Sequence, residues 1–117
     1  MKTTLCVSLT LMILTMAGFP SQAHAEDKSK PLIIDSRTAN EWNGGHIKGA
    51  ILIPYDQTEK SIGAVAKDKS QKIYVYCRTG MRAAVAKETL GKLGYKDVVN
   101  LGSMEDAARA LNLEIVK

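Results

Sequence analysis

Residues 32–54 read LIIDSRTANEWNGGHIKGAILIP, a stretch in which apolar runs alternate with polar segments that contain glycine. The apolar run 32–34 predicts a short strand that is buried on both faces. Thr38 and Glu41 have the spacing of a capping box, which predicts the start of a short helix directly after them. Two glycines end that helix, and the apolar run 50–53 predicts a second strand, closed by a proline.

The same alternation continues to the C-terminus. Residues 73–76, IYVY, predict a third strand that leads straight into Cys77, and Val98-Val99 predicts a fourth. The predicted helix starts are the capping sequences Asp56-x-x-Glu59 and Ser103-x-x-Asp106. Apolar residues at helical spacing give the predicted inner faces: Ile62, Val65 and Ala66; Ala83, Ala86, Leu90 and Leu93; Met104, Ala107, Ala108 and Leu111.

Strands that are separated by helices of this length pair in parallel through right-handed crossovers. The predicted fold class is therefore α/β, an open parallel sheet of four to five strands with helices on both faces.

The N-terminal segment, residues 1–25, predicts a cleaved export signal. One lysine precedes the uncharged apolar stretch 5–19, and the small residues Ala23 and Ala25 predict cleavage before Glu26. The alternative is an uncleaved membrane anchor, but this stretch is shorter than the roughly 20 residues that a spanning helix needs. We expect residues 26–30 to form a flexible leader and residues 31–117 to form a single domain, located in the periplasm and not attached to the membrane.

Composition argues against nucleic-acid binding. The formal charge of the whole chain is +4 and falls to +3 without the signal segment, which holds one lysine and no acidic residue. The lysines are spread along the chain, and aromatic residues make up only 5% of it, so neither a basic stripe nor a stacking platform is predicted. We expect a monomer that uses no metal ion and no cofactor.

Cys77 is the only cysteine outside the predicted signal segment, so no internal disulfide is possible in the mature chain. It lies where a strand turns into a helix, the position at which open α/β sheets bind ligands. Gly80 permits a tight turn whose N–H groups can point at one centre, and Arg78 and Arg82 add positive charge. These features favour a thiolate, so Cys77 is a candidate nucleophile. The alternative is an inert, buried cysteine at a strand end.

Two segments together resemble the rhodanese family. Residues 32–54 resemble its first signature, an I-D-x-R segment followed by E-[YFW]-x-x-G-H-I-x-G-A and I-P. Residues 77–82, CRTGMR, resemble its active loop, C-R-x-G-x-R. The resemblance covers most of 31–101. The chain departs from the family after the fourth strand, where Gly102-Ser103 replaces the usual Gly-Gly pair and no aromatic residue follows.

The resemblance implies a sulfurtransferase that works by double displacement. Cys77 would take a sulfur atom from thiosulfate or a similar anionic donor and carry it as a persulfide to cyanide or a thiol acceptor. The residues implied in substrate binding are Arg78, Thr79, Gly80, Met81 and Arg82. Arg78 and Arg82 would orient the donor, although either has the alternative of pairing with an internal carboxylate.

Other polar and aromatic residues are interpreted as structural. Asp35 and Arg37 are expected to form an ion pair or to position the loop. His46 is expected to support a loop, and Trp42 to pack. Met81 is expected to be exposed and to shape access for the donor.

Three other functions remain for comparison. In cysteine phosphatases and arsenate reductases the loop arginine follows the cysteine by one position more than here, where Arg82 lies five positions after Cys77. The spacing therefore argues against this function. A thiol-disulfide oxidoreductase needs a second cysteine. A non-catalytic persulfide carrier or binding module would retain the same loop and stays open.

Overall fold

The computed structural model describes residues 30–117, so the predicted signal segment and most of the predicted leader lie outside the described residues. In chain order, the described elements are β1 (Leu32–Asp35), α1 (Ala39–Asn43), β2 (His46–Ile47), β3 (Ile51–Leu52), α2 (Thr58–Val65), β4 (Ile73–Cys77), α3 (Met81–Lys92), β5 (Val98–Ser103), α4 (Met104–Leu111) and β6 (Ile115–Val116). None of the helices within residues 30–117 has the length and apolar character needed to cross a bilayer.

Four strands form an open parallel sheet in the order β3-β1-β4-β5. Ile34 of β1 pairs with Val75 of β4, and Val75 pairs with Asn100 of β5. The predicted fold class is confirmed. The structure adds a small antiparallel pair, β2 with β6, that the sequence did not predict because two-residue strands show no periodicity.

The core lies on both faces of this sheet, because successive strand residues point to opposite sides. One cluster joins strand residues to α2 and α3: Ile34, Ile73, Val75, Cys77, Ile62, Ala83 and Leu90. The other joins the alternate strand residues to α4: Ile33, Tyr74, Tyr76, Ala107 and Leu111. Each large apolar side chain buried in this way contributes about 1.5–3 kcal/mol relative to leaving it exposed. Helices on both faces are therefore confirmed.

Most predicted helix starts are confirmed. The N–H of Glu41 donates to Thr38 Oγ1 at 3.3 Å, and the N–H of Thr38 donates to Glu41 Oε1 at 3.3 Å, which completes the capping box. Ser103 caps α4 by accepting the N–H of Asp106 at 3.1 Å.

The predicted cap at Asp56 is wrong. Asp56 lies inside a 3₁₀ turn over Tyr55–Gln57, and α2 begins at Thr58 without a side-chain cap. The fixed φ of Pro54 favours this tight turn, and its carbonyl accepts the N–H of Gln57 at 2.8 Å. The turn therefore occupies the positions where the cap was expected.

Candidate active site

Cys77 ends β4 at the carboxyl edge of the sheet, and its side chain is fully buried. The end of this strand is held from both sides. Cys77 pairs with Ser103 of β5, and Ser36 donates both its hydroxyl and its N–H to the carbonyl of Tyr76, at 2.7 and 2.9 Å. The backbone that carries the thiol is therefore held in place on both sides.

The loop after Cys77 folds back over the sulfur. Gly80 has a φ of +99°, in the left-handed region that favours glycine, and its N–H donates to Cys77 Sγ at 2.9 Å. The N–H of Ala83, in the first turn of α3, donates to the same sulfur at 3.4 Å. The positive end of α3 thus meets the sulfur, as expected of a helix N-terminus that stabilises an anion.

Two opposing effects set the pKa of Cys77. Burial raises the pKa of the thiol, whereas the backbone N–H groups of Ala83, Thr79, Gly80 and Arg82 lower it. The amides prevail, so the pKa lies below the ordinary value and the thiolate is favoured. From the sequence, the neighbouring arginines were expected to help to favour the thiolate. In the structure, backbone amides are the leading cause of the lowered pKa.

Asn100 holds the loop in place, and sequence reasoning missed it. Its side-chain amide donates to the carbonyl of Gly80 at 2.9 Å, and its side-chain oxygen accepts the N–H of Gly102 at 2.9 Å. The two glycines approach closely, since a Cβ built on Gly80 would lie 3.3 Å from the Cα of Gly102. Its place between two apolar residues, Val99 and Leu101, was the one available signal for this role.

Arg82 forms an ion pair with Glu41 of α1. Its Nη1 donates to Oε1 at 2.7 Å and its Nη2 to Oε2 at 3.0 Å, a two-pronged geometry that fixes both side chains. The hydrogen bond from Arg82 lowers the pKa of Glu41 to about 2. Of the two roles that the sequence left open for Arg82, pairing with an internal carboxylate is the one observed. The pair ties α1 to the active loop.

The other loop residues face outward. Arg78 is exposed and makes no ion pair within residues 30–117. Thr79 is exposed, and its hydroxyl lies 3.5 Å from the N–H of Met81. Met81 is 76% exposed, so its predicted exposure is confirmed.

The predicted ion pair between Asp35 and Arg37 is confirmed, and it is buried. Arg37 Nη2 donates to Asp35 Oδ2 at 2.7 Å and to the carbonyl of Gly45 at 2.6 Å. The hydroxyl of Tyr76 donates to Asp35 Oδ2 at 2.9 Å and accepts the N–H of Ile47 at 3.1 Å. This buried network joins the carboxyl ends of β1 and β4 to β2, so it stabilises the edge of the sheet from which Cys77 projects.

Trp42 and His46 stack on each other, with ring centroids 3.6 Å apart and an interplanar angle of 2°. His46 Nδ1 also lies 3.1 Å from the carbonyl of Trp42. Both residues therefore have the structural roles that the sequence predicted. Among residues 30–117, no group of three or more His, Cys, Asp or Glu side chains is placed to hold a metal ion.

Comparison with known proteins agrees with this geometry. A family model described as a rhodanese-like domain matches residues 20–110, most of the chain. The chain belongs to the rhodanese family.

Several relatives carry sulfur-transfer names. The thiosulfate sulfurtransferase PspE of Escherichia coli K12 is 36% identical over 75 residues, which cover 64% of this chain and 72% of that protein. A putative sulfur carrier protein of Bacillus subtilis, YrkF, is 33% identical over 69 residues, which cover 59% of this chain and 36% of that protein. A solved rhodanese structure with anions from Escherichia coli has a TM-score of 0.69 and 33% identity, and covers 75% of this chain and 99% of that one. Together these relatives support sulfurtransferase activity, which needs a sulfur donor and an acceptor.

The departure of this rhodanese at Gly102-Ser103 has a structural explanation. Position 102 is a glycine, and its φ of +87° lies in the left-handed region that favours glycine. Ser103 takes the N-cap position of α4, where a hydroxyl satisfies an N–H that a second glycine would leave without a side-chain partner.

Proposed function

We propose that this rhodanese moves a sulfane sulfur from thiosulfate, or a similar anionic donor, to cyanide or a thiol acceptor through a persulfide on Cys77. The observation that carries the proposal is the convergence of backbone N–H groups on a buried cysteine sulfur with a lowered pKa. Such a sulfur is an activated nucleophile, and it already sits in a site that stabilises negative charge.

In the first step, the Cys77 thiolate attacks the outer sulfur of thiosulfate. A bond forms between Cys77 Sγ and that sulfur, the sulfur–sulfur bond of thiosulfate breaks, and its electron pair leaves with sulfite. The outer sulfur of the resulting persulfide carries the negative charge. The backbone N–H groups that converge on Cys77 Sγ, among them those of Gly80 and Ala83, would stabilise this charge. The exposed guanidinium of Arg78 would attract the anionic donor.

In the second step, the acceptor attacks the outer persulfide sulfur. With cyanide, a carbon–sulfur bond forms, the bond to Cys77 Sγ breaks, and the electron pair returns to Cys77 as thiolate while thiocyanate leaves. The two half-reactions use the same cysteine, and neither needs a metal ion or a redox cofactor.

The ion pair of Arg82 with Glu41 favours sulfur transfer over phosphatase or arsenate reductase chemistry. Those enzymes direct an arginine at a tetrahedral oxyanion, whereas here the guanidinium is committed to a carboxylate by two hydrogen bonds. For Arg82 we therefore propose a positioning role in the loop.

A persulfide carrier is the second candidate function. Its support is the 33% identity with the putative sulfur carrier protein of Bacillus subtilis, together with the complete burial of Cys77. A carrier would accept the sulfur and hold it without turning over small acceptors.

We also propose, from the sequence pattern of residues 1–25, that the chain is exported to the periplasm and that residues 26–117 remain as a monomer. N-terminal sequencing of the protein recovered from a periplasmic extract tests cleavage, and it should begin at Glu26.

Turnover with thiosulfate and cyanide tests the sulfurtransferase proposal. Wild-type protein should form thiocyanate catalytically, and Cys77→Ser should fall to the rate of the uncatalysed reaction. Sulfur addition to Cys77 without thiocyanate formation would favour the carrier. Equal thiocyanate rates for wild type and Cys77→Ser, together with no sulfur added to Cys77, would refute both.

A further inference from the structure

A cleft of about 270 Å³ opens beside the active loop. Its walls include Asn40 and Glu41 of α1, Arg78 of the loop, and Met104 and Glu105 at the start of α4. Two of the residues that line the cleft are close neighbours of the nucleophile in the sequence or in the sheet. Arg78 is bonded to Cys77, and Met104 directly follows Ser103, the strand partner of Cys77.

The charged groups around the cleft fall into two kinds. Two of them are already paired: Arg37, which also lines the cleft, forms an ion pair with Asp35, and Glu41 forms an ion pair with Arg82. These pairs leave little net charge for a ligand. Arg78 and Glu105 are different, because both are exposed and neither forms an ion pair within the described part of the chain. The cleft therefore presents one available positive group and one available negative group.

We propose that this cleft binds the acceptor, and that the acceptor is a small zwitterionic thiol with a carboxylate and an ammonium group; the inference rests on the proposed sulfurtransferase function. Arg78 binds the carboxylate with the planar geometry that guanidinium groups provide, and Glu105 binds the ammonium. Asn40 also lines the cleft, and its side chain offers both a donor and an acceptor.

The size and the charge of the cleft distinguish this ligand from others. Its volume lies just below the roughly 300–1,000 Å³ of pockets for drug-sized ligands, which suits a molecule of amino-acid size. A dianionic donor such as thiosulfate is attracted by Arg78 but repelled by Glu105. Because donor and acceptor react in separate half-reactions, Arg78 serves each of them in turn.

The transfer is balanced without another reactant. The acceptor thiol gives up its proton and its sulfur attacks the outer sulfur of the Cys77 persulfide. The new sulfur–sulfur bond forms as the bond to Cys77 Sγ breaks, and the electron pair stays on Cys77 as thiolate. The outer sulfur takes up the proton, so the acceptor leaves as its own persulfide.

The test compares two thiols in wild type and Glu105→Gln. Cysteine carries both the carboxylate and the ammonium, whereas 3-mercaptopropionate carries the carboxylate alone. Each thiol is compared with itself in the two proteins, which cancels the difference in thiol pKa. Glu105→Gln should raise the KM for cysteine by about three- to tenfold, as expected for losing one partly exposed charge-assisted hydrogen bond, and should not raise the KM for 3-mercaptopropionate.

Glu88→Gln is the matched control, because it removes an exposed carboxylate of α3 with the same change in net charge. It should leave both KM values unchanged. Equal changes in the two KM values for Glu105→Gln would overturn the inference, as would a rise for Glu88→Gln of the same size. Wild type is also assayed for sulfur transfer itself: absence of product with cyanide and with either thiol would overturn the proposed function together with the inference, whereas cyanide turnover with equal changes in the two KM values for Glu105→Gln would overturn the inference alone.

Discussion

Replacing Gly80 by alanine adds a single methyl group but should displace the active loop. The φ of +99° at Gly80 is a conformation that costs an L-residue about 1–2 kcal/mol. The added Cβ would also lie 3.3 Å from the Cα of Gly102, a backbone atom that cannot rotate away. The loop must therefore shift, and the N–H of residue 80 moves away from Cys77 Sγ, which it now meets at 2.9 Å.

The loss of this hydrogen bond has a calculable effect on the thiol. A hydrogen bond to a charged group contributes about 1.5–3 kcal/mol, which corresponds to roughly one to two pKa units. The pKa of Cys77 should rise by that amount in Gly80→Ala, because the thiolate loses more stabilisation than the thiol. The rate of alkylation by iodoacetamide, followed against pH, reports this pKa directly. At pH values below the Cys77 pKa of both proteins, the alkylation and thiosulfate turnover rates should both be lower in Gly80→Ala, by about tenfold for each pKa unit.

Gly91→Ala is the matched control. Gly91 lies within α3, and a Cβ there meets no other atom within 4 Å. The control should keep the Cys77 pKa and should gain about 0.5–1 kcal/mol in free energy of unfolding, since glycine weakens a helix interior. An unchanged Cys77 pKa in folded Gly80→Ala would refute the assignment of the Gly80 amide as a stabiliser of the thiolate.

Two further substitutions test the contacts that support the loop. Glu41→Gln should lower the free energy of unfolding by about 1–2 kcal/mol at pH 7, after allowance for partial exposure of its pair with Arg82. Because the pKa of Glu41 lies at about 2 instead of 4.5, this contribution is present above pH 4.5 and disappears as the pH falls through 2, so urea unfolding of the two proteins should converge there. Tyr76→Phe should cost about 1–3 kcal/mol in urea unfolding, because Asp35 and the N–H of Ile47 lose a buried partner; a smaller loss would contradict the network.

The sequence predicted the features of the fold that depend on local pattern. The capping box at Thr38 and Glu41, the strand into Cys77 and the inner face of α3 are each specified within a few residues. Features that depend on distant pairing were missed or shortened. Strand β5 extends past its apolar start to Ser103, because pairing with β4 continues where the apolar pattern ends.

The same distinction applies to the site. The position of Cys77 followed from the local order of strand, loop and helix. The partner of Arg82 did not, because Glu41 lies 41 positions away and several carboxylates were available. Asn100 contacts Gly80 across 20 positions, and only folding brings them together. A buried cysteine at a strand end can be inert. Cys77 differs from such a cysteine because the amides around its sulfur lower the pKa of the thiol.

The intact mass of the protein after incubation with thiosulfate shows whether Cys77 carries the transferred sulfur. Wild type should gain the mass of one sulfur atom, peptide mapping should place that sulfur on Cys77, and cyanide should remove it with release of thiocyanate. Cys77→Ser should gain nothing under the same conditions. A wild-type protein that stays at its unmodified mass, or an equal gain in Cys77→Ser, would contradict the claim that Cys77 carries the transferred sulfur.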